Sequence, residues 1–163
     1  KRPFTVECVL NKDANIVKTF SNLEIVAEST LNGIDSDVIF NRIWAYNSYQ
    51  SSGFKTLQLK TNTFETDNSF NTVLVDKVQR NWKLNNLRDY QLPNTNMFST
   101  SWADISSTYF TDKVPANLNA SPNYFNLPRF RDRYMALRLE FNPITNNKLV
   151  VNILATQQNV SYR

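Results

Sequence analysis

The stretch Arg129–Arg163, RFRDRYMALRLEFNPITNNKLVVNILATQQNVSYR, holds a strand, a turn and a second strand, each of which follows from side-chain chemistry. From Tyr134 to Phe141, Met135, Leu137, Leu139 and Phe141 alternate with Tyr134, Ala136, Arg138 and Glu140, the period of a half-buried strand. The segment Asn142–Asn147 should end it. Pro143 has no N–H to give a ladder, and adjacent Asn residues tolerate the left-handed backbone of a turn. Leu149–Leu154 is apolar and β-branched enough for a strand buried on both faces, and Thr156–Asn159 continues it outward. A C-terminal hairpin is the expectation, with Met135, Leu137, Leu139, Phe141, Val151 and Ile153 among its buried side chains.

Upstream, shorter runs repeat the strand signature. Phe4–Leu10 and Ile16–Phe20 flank the polar turn Asn11–Asn15 and suggest a first hairpin. Ser21-Asn22 punctuates before a third strand at Leu23–Ala27, and a loop containing Gly33 follows. A strand from about Arg42 is answered across Ser51-Ser52-Gly53 by Phe54–Leu59. Lys60–Phe70 reads as a surface loop, then Thr72–Asp76 and Val78–Leu84 as strands, with Val78, Arg80, Trp82 and Leu84 on one face. Leu92–Tyr124 breaks the rhythm with Pro93, Pro115 and Pro122 and room for one short helix after Ser101. An excursion of that length is usually an interaction loop or lid. The class expected is mainly β: one antiparallel β-sandwich-like domain over residues 1–163, with a C-terminal hairpin, one long loop excursion at 92–124 and at most one or two short helices.

Composition removes several chemistries. A chain of 163 residues can bury about 70% of its surface, so a real core is available. With 41% hydrophobic and 13% aromatic residues, large side chains should dominate it. The net charge of +4 rests on only 20% charged residues, too dilute to imply nucleic acid without a local cluster. No His is present, which excludes His-containing zinc sets and Ser-His or Cys-His nucleophiles. The single Cys8 sits in an alternating strand pattern and reads as a small buried hydrophobe; one cysteine forms no intrachain disulfide. Two glycines make no phosphate-cradling loop. The carboxylates Asp35, Asp37, Glu65, Asp67, Asp104, Asp112 and Asp132 occur in no catalytic or calcium-loop spacing and read as solvated acids and caps. No enzyme activity, cofactor, metal site or membrane insertion is expected.

Arg129, Arg131 and Arg133 lie on one side of an extended backbone, beside Arg138, and could meet carboxylates or phosphates. Asp132 interrupts the stripe, and few aromatics interleave, so a salt-bridged subunit interface is favoured over a solvated face or nucleic acid. The excursion carries Trp102, Tyr109, Phe110 and Tyr124, more aromatic surface than a loop usually leaves in water. These seven residues are the candidate interface.

The segment Arg129-Phe130-Arg131-Asp132-Arg133-Tyr134-Met135, with the apolar strand, Asn-rich turn and closing Val160-Ser161-Tyr162-Arg163, resembles the C-terminal end of the tail muzzle, or stabilisation, proteins of crAss-like bacteriophages of gut Bacteroidales. Lys18-Thr19-Phe20-Ser21-Asn22-Leu23-Glu24 is similar to that family's K-x-F-x-N-x-E start, and Tyr46-Asn47-Ser48-Tyr49-Gln50 to its aromatic-Asn-x-Tyr-Gln segment. Trp82-Lys83-Leu84 with Leu87-Arg88-Asp89 resembles its W-x-L and arginine motif. The resemblance spans nearly the whole chain. It implies a virion protein, the C-terminal portion of a longer polypeptide, in the nozzle that closes or lines the exit of a short, podovirus-like tail. Implied partners are other copies in a ring, neighbouring tail proteins, and transiently the exiting DNA or cargo proteins. The competing reading is a carbohydrate- or receptor-binding β-sandwich, marked by exposed Trp or Tyr on a sheet face; a third, a glycan hydrolase, needs two acids about 5–9.5 Å apart in a cleft.

Overall fold

The computed structural model describes residues 3–62, 72–85, 87–89, 128–143 and 146–161. The expected excursion at 92–124, with its short helix and with Trp102, Tyr109, Phe110 and Tyr124, lies outside the described residues, as does most of the 60–70 loop. Within them strands are the only regular elements and no helix occurs. The elements are β1 (Phe4–Leu10), β2 (Lys18–Leu31), β3 (Ile34–Asp35), β4 (Arg42–Tyr46), β5 (Ser51–Leu59), β6 (Thr72–Val78), β7 (Asn81–Leu84), β8 (Arg131–Asp132), β9 (Met135–Phe141) and β10 (Asn147–Val160). They form one sheet in the order β1-β9-β4-β5-β6-β7-β2-β10, with β3 and β8 also paired to β2. Only β5–β6 is parallel. The mainly-β, mostly antiparallel class is as expected, and the two arms of the sheet curl over one core until the sheet is nearly closed into a barrel.

β9 is central because its alternation is strict. Met135, Leu137, Leu139 and Phe141 are all at most 2% exposed and join Phe20, Leu23, Ile25, Ile43, Val73, Val75, Trp82, Leu84 and Phe130 in the core. Its neighbours differ from those expected. β9 lies between β1 and β4, whereas β10 pairs with β2 along its length, so there is no C-terminal hairpin. Nor is there a first hairpin, since β1 pairs with β9 and not with β2. The physical reason is shared: both turns join strands on different arms of the sheet, where each finds a longer or better-matched partner. β10 and β2 are each 14 residues long. A strand gains most by pairing along its whole length, because every backbone N–H and C=O left unpaired away from water is costly.

β10 is also not buried on both faces. Val151 is 39% and Ile153 54% exposed, which corrects both from the core list; only Leu149 and Leu154 of that strand pack against the core. An apolar run at a sheet edge meets the core on one side at most. The presumed break at Ser21-Asn22 is a bulge inside β2, where Gln157 and Gln158 face Asn22 and Phe20 and leave Ser21 extra; a second lies on β10 at Asn152. Ser51-Ser52-Gly53 is likewise part of β5: Ser52 and Gly53 together oppose Ala45, and Gly53 takes the left-handed φ of 62° that such a bulge requires. Asn32 and Gly33, both at positive φ, make the two-residue turn between β2 and β3. Gln79-Arg80 makes the β6–β7 turn, so Val78 and Arg80 are exposed while Trp82 and Leu84 are buried, and the expected four-residue face is halved.

Candidate functional site

Polar side chains usually avoid the interior, yet Asn47, Gln50, Ser51, Ser52, Arg88 and Asp89 are all at most 7% exposed. They meet at one junction. The β4–β5 connection is shaped by Asn47, whose Oδ1 accepts from Tyr49 N at 3.0 Å and Gln50 N at 2.7 Å, the self-capping of an Asx turn. Asn47 Nδ2 donates to Gln50 Oε1 at 2.9 Å. That oxygen also accepts from Arg131 N at 2.7 Å, and Gln50 Nε2 donates to Asp89 Oδ2 and to Arg129 O, both at 3.2 Å. Asp89 Oδ1 accepts from Ser51 N at 3.1 Å. Every functional atom of the Gln50 amide is used, which is what makes its burial tolerable.

The junction ties three remote pieces of chain together. Arg88 and Arg129 form an antiparallel bridge, and Asp89 N donates to Pro128 O at 2.9 Å, so Arg88-Asp89 and Pro128-Arg129 are held side by side. Phe20 N donates to Phe130 O at 2.9 Å and β8 pairs with Lys18 and Thr19, which locks the same region to β2. Tyr49 Oη donates to Arg131 O at 2.6 Å, and the hydroxyls of Ser48 and Tyr134 share a hydrogen bond.

The three candidate arginines do not form one stripe in common surroundings. Arg129 Nη1 donates at 2.6 Å to the carbonyl of Ser21, the bulged residue of β2. Arg131 is half-buried, and its Nε has no hydrogen-bond partner among the described residues. Arg133 is exposed, with its backbone N–H on Asp132 Oδ1 at 2.6 Å. Two of the three therefore face the protein's own sheet. The buried amides were missed from sequence because a strand from about Arg42 up to Ser51-Ser52-Gly53 leaves no place for a buried turn, and their partners Asp89, Arg129 and Arg131 are remote in the chain; the only signal was their place in the aromatic-Asn-x-Tyr-Gln segment.

The outer face of β1, β9, β4 and β5 is an aromatic-cation layer. Trp44 packs on Tyr46 at 4.7 Å and on Phe54 at 5.1 Å between ring centroids, with Arg138 over Trp44 and Arg42 over Phe54. Trp44 is 4% exposed and Trp82 fully buried, so neither offers a ring to a sugar, and the carbohydrate reading loses two of its three tryptophans. Glu7 accepts from Tyr46 Oη and pairs with Arg138 Nη2 at 3.0 Å. The Tyr46 hydrogen bond, ahead of the Arg138 guanidinium, holds the Glu7 carboxyl below the usual range despite its partial burial. Burial foremost, then Glu7, pushes the Tyr46 phenol up to about 12. Burial likewise pushes the half-buried Cys8 thiol up.

Substituting Tyr46 with Phe should therefore raise the Glu7 midpoint toward an ordinary glutamate, read by carboxyl NMR titration. The sign follows from linkage. A depressed folded pKa gives stability that is present above the unfolded value and lost as pH falls through the folded one; removing the phenol removes that contribution at neutral pH. An unmoved midpoint would mean that the hydrogen bond does not exist in solution.

Another cleft has part of its charge already paired. A hollow of about 260 Å³ is lined by residues that include Glu28, Asp35, Lys77 and Arg80. Glu28 pairs with Arg80 at 2.7 Å and Lys77 with Asp37. Among the described residues no three His, Cys, Asp or Glu side chains gather as a metal set, and no helix is long and apolar enough to cross a membrane. No family model matches the chain, and no curated protein matches it in sequence.

Proposed function

We propose that the chain is a non-enzymatic structural subunit of a virion, part of the muzzle assembly that closes or lines the tail exit of a short-tailed crAss-like phage. One observation carries the reading: the motifs behind the resemblance, scattered over the sequence, converge on one junction. Lys18–Glu24 supplies the β2 segment that receives β7 and β8, Tyr46–Gln50 the buried turn, Trp82–Leu84 the β7 strand on β2, Leu87–Asp89 the bridge, and Arg129–Met135 the strand entry. Ser161 N, near the chain end, donates to Val17 O beside it.

Motifs that are remote in sequence but bonded to one another act as a unit, so their co-occurrence is less easily accidental than any piece alone. A packing module needs such a rigid junction and no catalytic group. Partners under this reading are further copies in a ring and neighbouring tail proteins, with passing contact to exiting DNA or cargo. Quantitative peptide mass spectrometry of purified particles tests it: the chain should be present at a fixed small multiple of the portal protein. Absence from particles whose other tail proteins are detected would remove it.

A further inference from the structure

Soluble sheets guard their edges, because a row of unpaired N–H and C=O groups will pair with any strand that fits. Among the described residues this sheet leaves two edges open. There β1 pairs only with β9, and β10 only with β2, and they stand at opposite ends of the strand order. Neither is guarded. β10 runs 14 residues with no Pro or Gly and a single charge, Lys148; β1 has a single charge, Glu7. Both also expose apolar side chains: Phe4 40%, Val6 36% and Val9 61% on β1, and Val150 39% and Ile153 54% on β10.

The two edges match each other. Between β1 and β10 the order crosses seven pairings, six antiparallel and one parallel, so the two strands run in the same direction in the sheet. Their faces are also in phase. On β1, Cys8 and Leu10 lie with core residues Leu137 and Met135, and Glu7 and Val9 on the outer face. On β10, Leu149 and Val151 lie opposite buried Ser29 and Ala27, and Lys148 and Val150 on the outer face opposite Thr30 and Glu28.

We propose that β10 of one copy adds to β1 of the next in a parallel, head-to-tail pairing, with Lys148 opposite Glu7. Here the inference rests on the reading of the chain as an assembling subunit and names the surface. In this register Val150 meets Val9 on the outer face, while Leu149 meets Cys8 and Val151 meets Leu10 on the core face. Charge meets opposite charge, and apolar meets apolar on both sides. Glu7 keeps 43% of its side chain exposed beside Arg138, so it can take a second cation. A heterologous contact of this kind uses both edges of every copy and builds rings or filaments, whereas a two-fold β10–β10 contact would stop at a dimer and leave β1 open.

The native Cys8 supplies the test. The full chain carrying Leu149→Cys, treated with diamide as the two-electron oxidant, should give a ladder of disulfide-linked multimers on a non-reducing gel. The same substitution in a Cys8→Ser background should give none. Dimers that stop at two, or that persist without Cys8, mean a two-fold contact and overturn the proposal; so does a fast-migrating monomer, which would mean that the seam closes within one copy. Val9→Lys, at an exposed position, should abolish assembly of the otherwise native chain in sedimentation velocity while leaving its unfolding midpoint unchanged. Continued assembly of that variant overturns the edge pairing and leaves the subunit reading standing. So does assembly of the native chain when Cys8 forms no disulfide with the thiol introduced at position 149. A native chain that stays monomeric also overturns the pairing, and presence in purified particles then decides the subunit reading separately.

Discussion

Truncating Trp82 to alanine is expected to remove about 3–5 kcal/mol of folding stability, the range for deleting a large aromatic from a core. Trp82 is fully buried, opposite Ile25 on β2 and Lys77 on β6, so it fills the space where the curled sheet turns from one arm to the other. Lys77 Nζ lies 4.8 Å from its ring centroid, and that contact is lost as well. Domains of this size are stable by about 5–15 kcal/mol, so the variant should sit near the edge of folding. A urea titration reads the effect as a lowered midpoint at unchanged slope. A loss under about 1 kcal/mol would mean that Trp82 is not at the centre of the core.

Gln50→Ala should cost nearly as much, for a different reason. It adds only a small cavity, but it leaves Arg129 O, Arg131 N and Asn47 Nδ2 each short of a partner in a buried setting and takes one hydrogen bond from Asp89 Oδ2. An orphaned buried group costs about 1–3 kcal/mol, and water entering the gap would recover part of that, so a net loss on the order of 3 kcal/mol is expected. The loss should be local before it is global. Amide hydrogen exchange should rise first at Ser51 and Asp89, whose N–H groups donate across the junction, while Leu137 and Leu139 on β9 keep their protection. Uniform loss across all strands would mean that the junction is not a separate unit.

The contrast between these residues explains how much of the molecule was legible in sequence. Met135–Phe141 was read correctly because one face of β9 meets a continuous core, so its alternation is a direct record of burial. The turn at Asn32-Gly33 was marked by residue types that accept positive φ. Strand partners were not legible. Adjacent strands joined by a polar turn are assumed to pair, yet the chain crosses to the other arm after β1 and again after β9, and nothing in Asn11–Asn15 or Asn142–Pro143 distinguishes a hairpin from a crossing. Val151 and Ile153 were misplaced because composition records what a strand could bury, not whether a neighbour covers it.

Buried polar groups were hidden for a related reason. Gln50 and Asp89 satisfy each other across 39 positions, so their burial depends on a contact that no local window contains. The arginines show the same limit. An extended backbone puts Arg129, Arg131 and Arg133 on one side, but the bulge at Ser21 offers Arg129 a free carbonyl, and that local demand captures it.

An electron-microscopy map of the tail of the intact particle should show a ring at the distal end. Each of its subunits should contain this curled sheet, with Arg129–Met135 and Tyr46–Gln50 inside the subunit and β10 of one copy beside β1 of the next. A tail whose distal ring has no density fitting this sheet, in particles that contain the chain, would contradict it.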